Sequence, residues 1–150
     1  MHYPDFTIRP LDSELGATIQ GLIDQKTKPT GSLGLLEQLA LQVALIQNTP
    51  HPVLESPHLL IFAGDHGIAH ERVSAYPQVV TVEMVKNYLA GGAAVNVFAK
   101  QNQWQLQIVD AGVAADLSAL AGLVDQKIAK GTANFLHEPA MTQAQCTQAL

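Results

Sequence analysis

A chain of 150 residues is long enough for one domain with a sizeable core, and 47% hydrophobic against 14% charged residues argues for a buried α/β sheet and against disorder. A net charge of −5, with eight Lys and Arg spread along the chain, supplies no basic patch, so neither nucleic acid nor a membrane is expected as a partner. The single cysteine, Cys146, excludes an internal disulfide and a multi-cysteine zinc site; with no leader pattern and no apolar run near ~18 residues, a cytoplasmic location is the default expectation.

Pro4 and Pro10 interrupt residues 1–12, which read as an irregular lead-in. A helix is expected to open at Asp12 or Ser13, with Leu15, Ile19, Leu22 and Ile23 forming one apolar stripe. KTKPTGSLG at 26–34 ends it, and Ser32 is the expected cap of a second helix from about Leu33 to Gln47. Leu33, Leu36, Ala40, Val43 and Ala44 are expected to share the buried face of that helix. The two helices suggest a separate helical subregion with its connector over 1–57, followed by a sheet domain over 58–150.

The run Leu59–Ala63, LLIFA, has no polar face, as expected of a strand covered on both sides in a parallel sheet. Gly64 ends it, and a polar loop carries Asp65, His66, Tyr76 and Pro77. Thr81 is the expected cap of a helix to about Ala90, with Glu83 in its first turn, before Gly91 and Gly92 break or kink the helical run. A second strand, Leu106–Val109, is expected to lie parallel to the first through a right-handed crossover, and each strand is followed by an Asp. LSALAG at 117–122 reads as a turn or short helix, and LVDQKIA at 123–129 as a third strand. Thr142 and Gln145 have capping-box spacing for a last helix that has no stop signal, so the chain is expected to be truncated at its C-terminus.

Ligands of an open α/β sheet sit beyond the carboxyl ends of its strands, which directs attention to the loop after Gly64. Asp65 and His66 can orient a substrate or move a proton, although the residues alone favour a carboxylate holding loop N–H groups and a histidine packed on the sheet, since Asp and Gly are ordinary turn residues. His66 and His70, four apart, imitate a metal-ligand set with Asp65; Gly67 argues against a continuous helix between them, and no metal or cofactor is expected. Tyr76 and Pro77 can wall a planar ring, or simply shape the loop, and Met84 can line the same pocket or fill core. Gly91 and Gly92 read as a kink rather than a phosphate site; Lys28, Gly31 and Ser32 could meet an anion or simply form the turn joining two helices; Cys146 reads as packing.

KPTGSLGLLEQLA at 28–40, FAGDHGIAHERVSAYPQVVT at 62–81, GGAAVNVFA at 91–99, VDAGV at 109–113 and KGTANFLHEPAMT at 130–142 together resemble the nicotinate-nucleotide:dimethylbenzimidazole phosphoribosyltransferase family, in collinear order over about residues 26–150. The resemblance implies a partial Rossmann-like, three-layer parallel sheet with the N-terminal helices of a small helical subdomain. It also implies transfer of phosphoribosyl from nicotinate mononucleotide to 5,6-dimethylbenzimidazole, giving α-ribazole 5′-phosphate and nicotinate for the lower ligand of cobalamin, and a homodimer for the full-length enzyme. Carried over by motif, Tyr76, Pro77 and Met84 fall where the family builds its aromatic-base pocket, with Asp65 and His66 at the adjoining strand end. The family's catalytic glutamate and glycine-rich phosphate loop belong to segments beyond residue 150, and neither Glu71 nor Glu83 matches that motif. The expectation is therefore a substrate-binding portion that is inactive alone. The alternatives are a non-catalytic azole-binding or association module and a metal-dependent hydrolase built on Asp65, His66 and His70.

Overall fold

The computed structural model describes residues 7–150, so the first part of the expected lead-in, Pro4 included, lies outside the described residues. The chain divides into two compact units, one ending at Glu55 and the other beginning at Ser56.

The first unit is a pair of packed helices, α1 (Ser13–Asp24) and α2 (Leu35–Ile46). Asp12 caps α1 as its sequence suggests: Oδ1 accepts the N–H groups of Glu14 at 2.9 Å and Leu15 at 3.1 Å, and Ile19 is buried. Two expectations for α2 fail in whole or in part. Gly34, at φ 53°, occupies the cap position instead of Ser32, and no side chain caps there. The expected apolar face holds only towards the C-terminal end, where Ala44 is buried and Val43 half-buried, whereas Leu33, Leu36 and Ala40 are exposed and Glu37 is buried instead. The inward stripe runs through Glu37, Leu41, Ala44 and Leu45. The reason is a charge pair: Glu37 Oε1 takes the Lys28 ammonium at 2.9 Å and the Leu33 N–H at 3.0 Å, so a carboxylate is tolerated where the sequence pattern suggests leucine.

The second unit holds a parallel sheet in the order β1 (His58–Gly64), β2 (Gln105–Gly112), β3 (Leu123–Asp125). Ile61 pairs with Ile108, and Ile108 with Leu123, which places Leu59, Ile61, Ala63, Leu106 and Ile108 on one face. Helices α3 (Val79–Leu89) and α4 (Ala94–Gln101) pack on the sheet, and the core gathers Ala63, Val85, Ile108, Val113 and Leu117. β1 is not covered on both sides. Its residues alternate in exposure, with Leu60 at 49% and Phe62 at 66%, because the helices cover only the other face.

Further corrections follow from local chemistry. α3 opens at Val79, two residues before Thr81, because the ring-fixed backbone of Pro77 already begins the turn, its carbonyl accepting the Val80 N–H at 3.0 Å. Glu83 therefore lies past the first turn, paired with Lys86 at 2.8 Å. Asp110 lies within β2, paired with Asp125 of β3, rather than after it. The third strand stops at Asp125, because Lys127 turns its ammonium to the carbonyls of Val113 and Ala115. Residues 117–122 form turns. Gly91, at φ 79°, terminates α3, and Asn96 closes the start of α4 by accepting the Ala93 N–H at 3.1 Å. The last helix, α5 (Gln143–Ala149), carries the expected reciprocal cap between Thr142 and Gln145.

Candidate functional site

At the carboxyl end of β1 the pairing register shifts between Ala63 and Gly64, and the backbone changes neighbours. Asp65 donates its N–H to the Gly112 carbonyl at 2.9 Å, Thr132 donates to the Asp65 carbonyl at 3.0 Å, and Gly67 donates to the Thr132 carbonyl at 3.1 Å. Residues 131–133 thus continue the sheet beside 65–67, where His66 and Thr132 form a parallel bridge. Gly67 is required by this approach, because a Cβ there would lie 2.6 Å from the Asn134 nitrogen and 2.7 Å from the Thr132 oxygen. The Glu71 carboxylate ties the two loops again by accepting from Asn134 Nδ2 at 2.7 Å.

Asp65 is 5% exposed, and its Oδ2 accepts the Ala114 N–H at 2.8 Å. Beside it, the buried Asp110 accepts the Gly112 and Val113 N–H groups at 3.1 and 2.9 Å and pairs with Lys127 at 3.0 Å. The same ammonium reaches the Val113 carbonyl at 2.8 Å and the Ala115 carbonyl at 2.6 Å. Two aspartates and one lysine therefore fix the 112–115 loop from three directions. Nothing in the sequence pairs Asp110 with Lys127; Lys127 reads there as one position of an alternating strand.

A cleft of about 400 Å³ opens between the end of β1 and α3. All five residues singled out in the sequence, Asp65, His66, Tyr76, Pro77 and Met84, line it. Its floor is apolar, with Ile61 and Val85, and Tyr76 is 72% exposed, so its ring forms an outer wall. Gln78 holds that wall in place by donating Nε2 to the His66 carbonyl at 2.9 Å. Among the described residues, no lysine, arginine or glutamate lines the cleft. A second cleft, of about 570 Å³, shares Phe62, Gly64, Asp65 and His66 with the first and extends under Ala140, Met141 and the end of α5.

The other candidates go elsewhere. His70 sits in a short 3₁₀ turn, Gly67–Glu71, away from this lining, and among the described residues no group of three His, Cys, Asp or Glu side chains is arranged to hold a metal. Lys28 is engaged by Glu37, whose carboxyl the ammonium holds below the usual carboxylate range, with the Leu33 N–H assisting. Gly91 and Gly92 end a helix, and a Cβ at Gly92 would collide with the Asn87 side chain. Cys146 is a half-buried free thiol in α5. Among the described residues, no helix is long and apolar enough to cross a membrane.

A family model described as phosphoribosyltransferase matches residues 8–150. A nicotinate-nucleotide–dimethylbenzimidazole phosphoribosyltransferase of Dechloromonas aromatica is 56% identical over 145 residues, covering 97% of this chain and 42% of that protein. The enzyme of the same name from Cupriavidus necator is 55% identical over 150 residues, all of this chain and 43% of that one. A crystal structure of the Thermus thermophilus enzyme so named superimposes with a TM-score of 0.87 at 41% identity, over 92% of this chain and 42% of that one. The chain thus spans about two fifths of the length of these relatives, and the likeness in structure is that of a partial Rossmann-like α/β fold.

Proposed function

Because this chain belongs to the nicotinate-nucleotide–dimethylbenzimidazole phosphoribosyltransferase family, we propose that it supplies the ring-binding wall of an enzyme that transfers phosphoribosyl from nicotinate mononucleotide to 5,6-dimethylbenzimidazole. The observation that carries this reading is the convergence of Asp65, His66, Tyr76, Pro77 and Met84 on one apolar cleft at the carboxyl end of β1. Tyr76 and Pro77 bracket the planar azole from the solvent side, Met84 adapts to its edge, and Asp65 and His66 meet its polar side.

The transfer itself needs two things that this cleft lacks. One is a base to take the azole proton as the nitrogen attacks the anomeric carbon; the other is a set of donors to hold the phosphate. Among the described residues no glutamate lines the cleft, Glu71 being bonded to Asn134 and Glu83 to Lys86, and no lysine or arginine faces it. The 150 residues therefore bind the azole without turning it over. The full-length enzyme acts as a cytoplasmic homodimer, with residues 1–57 as a helical subdomain and 58–150 as part of the sheet domain.

An NMR titration of the chain with 5,6-dimethylbenzimidazole tests the reading. Saturable shifts are expected at the amides around Tyr76, Gln78 and Met84, with no product when nicotinate mononucleotide is added. Shifts confined to other parts of the chain would remove the ring-binding wall. Production of α-ribazole 5′-phosphate by the chain alone would remove the division of labour.

A further inference from the structure

The segment that carries Tyr76 has little of its own to hold it in place. Every residue of 72–77 is exposed, and among the described residues its hydrogen bonds join only near neighbours in the chain: the Arg72 N–H donates to the Ala69 carbonyl at 3.1 Å and the Tyr76 N–H to the Ser74 hydroxyl at 3.2 Å. Its position is therefore set at its two ends. At one end Gln78 Nε2 donates to the His66 carbonyl at 2.9 Å. At the other, Glu71 Oε1 accepts Asn134 Nδ2 at 2.7 Å from 63 positions away, and a charged acceptor makes that bond stronger than one between neutral groups. His137 Nε2 stands 3.6 Å from the same oxygen, beyond hydrogen-bond distance. Asn134 is a firm anchor, because it follows the stretch that extends the sheet at Thr132 and closes its own turn by accepting the Leu136, His137 and Glu138 N–H groups. Between Glu71 and the exposed segment lies Arg72 at φ 58°, a left-handed turn that a residue with a side chain holds only where its surroundings enforce it.

We propose that Glu71 is a positioning residue: by anchoring its turn to Asn134 it holds the strap 72–77, and with it Tyr76 and Pro77, at the mouth of the first cleft. Neither Glu71 nor Asn134 lines either cleft, so the effect travels through the strap and not through contact with a ligand. The inference rests on the ring-binding wall proposed above for its consequence on ligands, whereas the hold on the strap is a property of the chain by itself. Glu71 removes beforehand a freedom that binding otherwise has to freeze.

Nitrogen-15 relaxation of the 150-residue chain, without ligand, tests the hold. In Glu71→Ala the order parameters at the amides of 73–76 are expected to fall below about 0.6, while those of α3 stay near about 0.85. Glu71→Gln keeps a carbonyl oxygen for Asn134 Nδ2 and is expected to keep the strap as ordered as in the unaltered chain. The Glu71 side chain is 38% exposed, so both variants are expected to fold with little change in urea midpoint. Unchanged order at 73–76 in Glu71→Ala, a loss of order that spreads through α3, or a glutamine variant as loose as the alanine one each overturns the positioning role. Titration with 5,6-dimethylbenzimidazole is expected to show binding about threefold weaker in Glu71→Ala and restored in Glu71→Gln, because the bound state then has to order the strap. A loosened strap with unchanged azole affinity leaves the hold in place and removes Tyr76 and Pro77 as the wall. Absence of azole binding by the unaltered chain removes the wall as well, and the relaxation data still decide the role of Glu71.

Discussion

Gly67 is held so close to residues 132–134 that any side chain there strikes backbone atoms at 2.6–2.7 Å. Those atoms belong to hydrogen-bonded loop segments and yield only by moving the chain. Gly67→Ala is expected to cost about 2 kcal/mol, the scale of an overpacked interior site, read as a lowered urea midpoint with an unchanged slope. Lys127→Met tests the polar knot beneath the cleft. Removing the ammonium leaves Asp110, 1% exposed, with a buried charge and two loop carbonyls with one donor fewer. A loss of about 3–5 kcal/mol is expected on chemical unfolding, because breaking a buried pair from one side leaves the other charge uncompensated. Tyr76, by contrast, is so exposed that Tyr76→Ala is expected to leave stability within about 0.5 kcal/mol while weakening azole binding. That Asp65, His66, Tyr76, Pro77 and Met84 line one cleft was legible in the sequence because all five follow one strand end closely in the chain. Lys127 and Ala114 were not, because their partners Asp110 and Asp65 lie 17 and 49 positions away in the chain, and such contacts have no periodicity.

At the level of elements, α2 shows how a charge pair redirects a helix face. Its leucines outnumber its polar residues, yet the buried stripe begins at Glu37 because Lys28 neutralises that carboxylate. The folded pKa of Glu37 is lowered by Lys28 and the Leu33 N–H. Its contribution is therefore complete above the unfolded carboxylate value of about 4.3 and is lost as the pH falls through the depressed folded value. Thermal unfolding across a pH series is expected to show Glu37→Gln below the unaltered chain at pH 7, with the two converging as the pH drops below about 4. A constant gap across that range would mean that the pair contributes through packing alone. Elements with local punctuation matched their sequence closely: Asp12 before α1 and Thr142 with Gln145 at α5 need only neighbours within one turn. Thr81 misled because a cap-forming residue type does not start a helix that Pro77 has already begun.

For the whole molecule, the uncovered side of β1 matters most. Leu60 and Phe62, at 49% and 66% exposure, present apolar surface from a parallel sheet, a type that is normally covered on both faces. The chain is expected to self-associate in a concentration-dependent way, and Phe62→Lys to reduce that association, as read by sedimentation velocity. A monomer at every concentration would remove this expectation. The composition, the strand LLIFA and the collinear motifs determined by themselves that this is an α/β chain of the phosphoribosyltransferase family, and they pointed to the loop after Gly64 as the candidate site. Those signals are local or carried by motif, and they survive without coordinates. Only the tertiary structure decided that 131–133 extends the sheet beside Asp65, and that Lys127 and Asp110 lock the loop which Asp65 also holds. Each of these depends on segments distant in sequence meeting at one strand end, where hydrogen bonds must be satisfied by whichever groups the fold delivers.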